Sequence, residues 1–108
     1  MPDAQLSPSA LDDIDNHLAY LKRVQAPVSA ANKFHASVRK MRVLIGQQPD
    51  LGIDKPEWGS PPNLQALPSE RHLYVFTSDV TPPLIIRILG PGTDPDSIFE
   101  QSHPSEYA

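Results

Sequence analysis

The amino-acid sequence predicts a single α+β domain in which an N-terminal antiparallel helix hairpin packs on a small twisted antiparallel sheet. Apolar residues in the first half recur at spacings of three and four, which is typical of amphipathic helices. The last third holds short runs of Leu, Ile, Val and aromatic residues between prolines and glycines, which is typical of strands joined by turns. The length of 108 residues suits one domain spanning 1–108.

The first helix is expected to begin at Pro8 with Ser7 as its N-cap. Serine accepts hydrogen bonds from the free N–H groups of a first turn, and proline suits the first helical position. The helix should run to about Val24. Its apolar stripe consists of Leu11, Ile14, Leu18 and Leu21.

The second helix should begin near Pro27 and end at Gly46, a typical C-cap residue, ahead of Pro49. Two amphipathic helices joined by a few residues form an antiparallel hairpin. The stripe of the second helix consists of Ala31, Phe34, Val38, Met41 and Ile45. We expect the hairpin and the sheet to share one core that buries Leu18, Phe34, Val38, Val75 and Ile86.

The rest of the chain is expected to hold about three strands. Prolines and glycines make 46–63 an irregular loop, and the tail at 102–108 is polar and should be flexible. The candidate strands are 63–67, 72–78 and 84–89, with 4–6 as a candidate fourth strand and 96–101 as a short helical turn.

Composition excludes several functional classes. There is no cysteine, so neither a disulfide framework nor a thiolate metal site is available. The four histidines lack metal-ligand spacing, and no glycine-rich phosphate loop precedes a helix. No apolar run is long enough for a membrane span, and the N-terminus lacks the pattern of a secretory signal. We expect a cytoplasmic protein that uses no metal or cofactor and binds no membrane.

Charge is distributed unevenly along the chain. The net charge is −4, which does not favour direct nucleic-acid binding. Six bases and no acid nevertheless fall within 22–42. This basic block is either a solvated helix face or a surface for an acidic partner.

Several short segments occur in an order that is known from one family. The helix entry LSPSALDDIDNHLAYL is followed by PDLG at 49–52, LPSER at 67–71 and IIRI at 85–88, and then by Asp94 and Phe99. Over about residues 5–100 the chain therefore resembles the ParE-like toxins of the ParE/RelE superfamily.

The resemblance implies a toxin of a type II toxin–antitoxin system that a cognate antitoxin neutralises. ParE itself is understood to inhibit DNA gyrase, which makes gyrase the expected target. Two alternatives remain: a ribosome-dependent mRNA endonuclease like those of the RelE branch, and a non-toxic module that retains the fold and its antitoxin. In each case a hetero-oligomer with the antitoxin is expected.

Side-chain chemistry favours an inhibitory binding protein over a nuclease. Cleavage of RNA needs a group that titrates near neutrality and a group that stabilises the phosphate charge. Residues 90–93, after the last strand, offer no such group. Arg87 stays protonated at any working pH. His72 is the one candidate base in the strand region, where a lone histidine is more often a packing or surface residue. We expect no catalytic residues.

The expected binding residues fall into two sets. Trp58 is favoured as the residue that pins the long loop to the core, and it is also a candidate anchor for the target. Arg87, in an apolar strand, should either point outward or pair with a buried acid. The target-binding set is Trp58, Arg71 and Arg87, and the antitoxin-binding set is Lys33, Arg39 and Arg42.

Overall fold

A computed structural model describes residues 2–59 and 62–100, and of Glu100 only the backbone. The predicted flexible tail at 102–108 lies outside these residues. No helix in the described ranges is long and apolar enough to cross a membrane. The elements are β1 (Gln5–Leu6), α1 (Pro8–Arg23), α2 (Val28–Gln47), β2 (Ile53–Asp54), a 3-10 turn (Pro56–Trp58), β3 (Gln65–Ser69), β4 (His72–Thr77), β5 (Leu84–Leu89) and α3 (Pro95–Glu100).

The described strands form one mixed sheet in the order β1-β5-β4-β3-β2. The α+β class and the order of helices before sheet agree with the prediction. The prediction of a purely antiparallel sheet was wrong, because β1 pairs with β5 in parallel. The other pairings, β2–β3, β3–β4 and β4–β5, are antiparallel. The candidate strand ahead of the first helix is therefore real and occupies one edge of the sheet.

The start of α1 is fixed by Ser7, as the sequence predicted. The Ala10 N–H donates to Ser7 Oγ at 3.0 Å, which satisfies one of the free amides of the first turn. Ser7 Oγ in turn donates to the carbonyl oxygen of Ile86 at 2.7 Å. One hydroxyl thus begins the helix and attaches it to the last strand.

Gly46 does not end α2, which continues to Gln47. Glycine is needed at this position because a Cβ there would collide with the carbonyl oxygen of Pro2. The N-terminal segment crosses the helix here: the Ala4 N–H donates to the carbonyl of Arg42 at 2.9 Å, and Arg42 Nε donates to the carbonyl of Ala4 at 2.8 Å. Gly46, which the sequence suggested as a helix C-cap, is instead required because two backbone segments cross closely at this point.

The sheet separates two hydrophobic cores, whereas one had been predicted. The first lies under the helix hairpin, where Phe34 and Val38 are buried as expected and Leu18 is only partly buried. The second lies on the opposite face, where Val75 is buried and Ile86 partly buried. Its buried residues are Trp58, Leu64, Ala66, Val75, Leu89 and Phe99.

A β-bulge in β5 explains how one strand serves both cores. Val75 pairs with Arg87 and Phe76 with Ile85, so Ile86 is the extra residue. Ile85 and Ile88 consequently both contribute to the core under the helices, although strict alternation would place them on opposite faces. Ile86 packs against the second core.

The segment 46–63 contains more structure than the sequence indicated. It holds the short edge strand β2 and the 3-10 turn, at the end of which Trp58 is buried. Trp58 Nε1 donates to Asp96 Oδ1 at 2.7 Å, and its ring stacks on Phe99 with centroids 4.9 Å apart. The long loop and α3 thus together cover the second face of the sheet.

Candidate functional site

An open cleft of about 940 Å³ lies between the helix hairpin and the turn that joins β3 to β4. The α1 and α2 side chains form one wall, and the turn with the start of β4 forms the other. Its lining combines apolar, aromatic and basic residues: His17, Tyr20, Leu21, Ala30, Lys33, Phe34, Ala36, Ser37, Lys40, Glu70, Arg71, His72 and Pro91.

The β3–β4 turn places Arg71 at the rim of this cleft. Ser69 pairs with His72, so Glu70 and Arg71 are the two central residues of the hairpin turn. Both have positive φ, 49° and 72° respectively. Two-residue hairpin turns of this kind favour Asn and Gly, which adopt positive φ at low cost. A charged pair in this turn is a local departure from that preference, and such departures concentrate at functional sites.

Three rings from three different elements meet at the floor of the cleft. The imidazole of His17 on α1 lies 4.4 Å from the ring of Phe34 on α2, and 4.6 Å from that of His72 on β4, measured between centroids. Phe34 and His72 are 5.1 Å apart. The cluster joins both helices to the sheet and brings two titratable side chains into contact.

The two imidazoles differ in their hydrogen bonding. His72 Nδ1 lies 3.3 Å from the carbonyl oxygen of Glu70, to which it donates. His72 Nε2 is shielded from solvent and has no hydrogen-bond partner among the described residues. Burial and the neighbouring His72 both lower the pKa of His17, burial having the larger effect.

Three cations surround this floor. Lys33 and Lys40 lie two turns apart on α2, so they share one flank of the helix and are separated by about 10 Å along its axis. Ser37 lies between them, and Arg71 faces them from the turn. None of the three cations forms an ion pair within the described part of the chain. Glu70 is the one carboxylate in the lining.

The expected antitoxin-binding set does not form one continuous rim. Lys33 lines the cleft, whereas Arg39 is exposed about 120° further around α2. Arg42 is partly buried and holds the carbonyl of Ala4. Lys40, which the set omitted, shares the cleft with Lys33.

Of the expected target-binding set, only Arg71 is exposed. Trp58 is 3% exposed, so its ring cannot anchor a target in this conformation, and the alternative role of pinning the loop is confirmed. Arg87 donates through Nε and Nη2 to the carboxylate of Asp13, at 2.8 and 2.9 Å. The hydrogen bond to Asp13 raises the pKa of Arg87 above its usual value. Arg87 therefore pairs with an acid, one of its two predicted environments.

His17 is the site residue that the sequence analysis missed. It falls between Ile14 and Leu21 on the apolar stripe of α1, and a histidine in such a stripe is commonly only a packing residue. Its contact with His72 depends on how the helix lies across the sheet, which spacing does not reveal. The one sequence feature that could have indicated His17 as a site residue is the presence of a histidine within an apolar stripe.

A second surface feature is the incomplete burial of α1. Its one buried residue is Ala10, while Leu11 is 49% exposed, and the other members of its apolar stripe are only partly buried. Beside the connection between the two helices, Val24 and Val28 are 50% and 79% exposed. We call these three exposed apolar residues, Leu11, Val24 and Val28, the α1 surface.

The cleft has the chemical means to bind an anion and to transfer protons. Lysine and arginine supply charge-assisted donors, and the two imidazoles supply ring nitrogens that can accept or donate a proton. Among the described residues no cluster of His, Asp or Glu could hold a metal ion. Comparison with known protein families and with curated proteins gives no match to this chain.

Proposed function

We propose that this protein is the toxin component of a type II toxin–antitoxin system, neutralised by a cognate antitoxin and acting by inhibiting DNA gyrase. The proposal rests on the resemblance of about residues 5–100 to ParE-like toxins. The order of helices before sheet is compatible with that resemblance.

The observation that carries the partner-binding part of the proposal is the α1 surface. An apolar stripe that its own domain leaves half uncovered is stabilised when a partner helix or strand covers it. Leu11, Val24 and Val28 are large apolar side chains that contribute little to the core of this domain. A free toxin with such a surface is suited to an antitoxin segment that folds as it binds.

Growth and supercoiling assays test the proposal together. Expression of the chain alone should arrest bacterial growth, and the purified protein should block supercoiling by purified gyrase. Co-expression with an antitoxin candidate from a neighbouring gene should restore growth. Leu11→Asp and Val28→Asp should abolish neutralisation by the antitoxin while the chain stays folded, because both residues are exposed.

Asn16→Asp, which adds the same charge on the exposed side of α1, is the matched control and should leave neutralisation intact. A chain that causes no arrest and leaves gyrase active contradicts the toxin proposal. If it still binds the neighbouring antitoxin, the non-toxic module is the better description.

One observation favours the ribonuclease alternative as a second candidate. His17 and His72 lie in contact beside Arg71, Lys33 and Lys40, so an acid, a base and cations share one cleft. His72 alone could not supply both an acid and a base, whereas His17 and His72 together could. Site-specific cuts in ribosome-bound mRNA during expression, lost in both His17→Ala and His72→Ala, would establish this alternative; intact mRNA during growth arrest excludes it.

A further inference from the structure

The cleft concentrates positive charge in an otherwise acidic protein. The chain carries a net charge of −4, yet the lining holds Lys33, Lys40 and Arg71 against one carboxylate, Glu70. Like charges brought together on one surface repel each other, and here no ion pair within the described residues relieves the repulsion. An anion bound between the three cations would relieve it.

The number and type of donors in the cleft suit a phosphate group. A phosphate has several oxygens that accept charge-assisted hydrogen bonds, and arginine and lysine are the residues that most often supply them. Ser37 lies on the same wall of the cleft, between the two lysines, and adds a hydroxyl donor.

The floor of the cleft suits a ring or sugar attached to that phosphate. Tyr20, His17 and Phe34 are aromatic, and Leu21 adds aliphatic surface. Proteins bind nucleotides by combining cations for the phosphate with rings for the base. The cleft volume of about 940 Å³ is ample for one nucleotide.

We propose that the cleft between the helix hairpin and the β3–β4 turn binds a nucleotide-sized phosphate ester. Lys33, Lys40 and Arg71 hold the phosphate, and the rings of Tyr20, His17 and Phe34 face the organic part. The proposal is independent of gyrase as the target. The ribonuclease alternative would use the same site for an RNA phosphate.

An acidic peptide is the competing occupant, and the two differ in what they do to the histidines. The organic part of a nucleotide lies on the floor of the cleft, against the rings of His17 and Phe34, and should shift their signals. Carboxylates on a helix that spans Lys33 and Lys40 lie at the rim of the cleft, away from the floor. They should leave the ring signals unchanged.

Titration of the full chain with adenosine 5′-monophosphate, with inorganic phosphate and with a 5′-phosphorylated oligoribonucleotide tests the proposal by NMR and calorimetry. Binding should shift the ring signals of His17, Phe34 and His72. Lys40→Gln and Arg71→Gln should each weaken the binding about tenfold, the usual effect of losing one charge-assisted hydrogen bond. The oligoribonucleotide distinguishes an RNA end from a free nucleotide by its relative affinity, with no cleavage required.

Arg39→Gln is the matched control, because it removes the same charge from the same helix outside the cleft. It should leave the affinity within about twofold of that of the unsubstituted chain. Equal weakening by Arg39→Gln and Lys40→Gln would show diffuse attraction and overturn the proposal. So would the absence of ring shifts, or displacement of every phosphate probe by a short poly-glutamate peptide at a lower concentration.

Discussion

Asp13 on α1 binds Arg87 on β5 through both carboxylate oxygens and also accepts the backbone N–H of Ile88 at 2.8 Å. This one carboxylate therefore satisfies three donors and attaches the first helix to the last strand. The pair lies at the level of the bulge, where the N–H groups of β5 are not all used by the ladder.

Removal of Asp13 should destabilise the domain more than removal of Arg87. The side chain of Asp13 is 12% exposed and serves three donors, so Asp13→Ala should cost about 2–4 kcal/mol. Arg87 is 29% exposed and solvent screens it more, so Arg87→Ala should cost about 1–3 kcal/mol. Urea denaturation measures both. The exposed neighbour substitution Asp12→Ala should stay within about 0.5 kcal/mol; an equal loss there would contradict the assignment.

The contact between Trp58 and Asp96 should determine how α3 is held. Asp96→Ala leaves the indole N–H without its acceptor and should cost about 1–3 kcal/mol. Trp58→Ala also removes a buried ring and should cost about 3–5 kcal/mol. Thermal unfolding measures these losses. Ser97→Ala is the control: it removes the exposed hydrogen bond from Ser97 Oγ to the carbonyl of Asp94 but no hydrogen bond to Trp58, so it should cost less than Asp96→Ala. A Trp58 variant that keeps full stability but loses target binding would restore the target-anchor interpretation.

Gly46→Ala should destabilise the protein although alanine is the better helix former. In an ordinary helix interior this substitution gains about 1 kcal/mol. Here the added Cβ meets the backbone of Pro2, Asp3 and Ala4, so we expect a net loss of about 1–3 kcal/mol. The change in melting temperature shows whether Gly46→Ala stabilises or destabilises the protein. Deletion of residues 1–3 should reduce the loss, because it removes the carbonyl that the Cβ meets.

Stability should fall as the solution is acidified through the titration of His17. The pKa of His17 is lowered in the folded protein, so the unfolded chain binds a proton at a higher pH than the folded chain does. The contribution of His17 to stability is complete above about pH 6.5, the pKa of histidine in the unfolded chain. It is lost as the pH falls toward the lower pKa that His17 has in the folded protein. His17→Gln should flatten the profile between pH 7 and 5. His35→Gln, on an exposed position of α2, should leave it unchanged; a profile that is the same in all three chains contradicts the assignment.

Signals in the local sequence predicted most of the helices and strands. The Ser7-Pro8 start of α1 follows from capping chemistry, and β5 has the bounds 84–89 that the sequence predicted. Gly46 was misassigned because the signal for a helix end is the same residue type as the signal for a close backbone crossing. Only the tertiary position of Pro2 distinguishes the two.

The two cores and the cleft could not be predicted from the sequence. In the structure β4 presents apolar side chains on both faces, but nothing in the local sequence identifies what covers the second one. The answer comes from residues distant in sequence, Trp58 and Phe99, which meet only in the folded chain. In the same way His17 acquires significance only through its contact with His72. The separation of Arg39 from Lys33, by contrast, follows from the helical period of the predicted second helix.

The two faces of the sheet are covered by elements of unequal size, so one cover should unfold locally before the whole domain does. One face lies under two long helices, and the other under one six-residue helix and a 3-10 turn. A cover this small is released at a lower free energy than that of global unfolding, because fewer contacts hold it. Its release leaves the sheet and hairpin intact but uncovers Val75 and Leu89. In amide hydrogen exchange the turn around Trp58 therefore exchanges before the central strands, and proteolysis begins there.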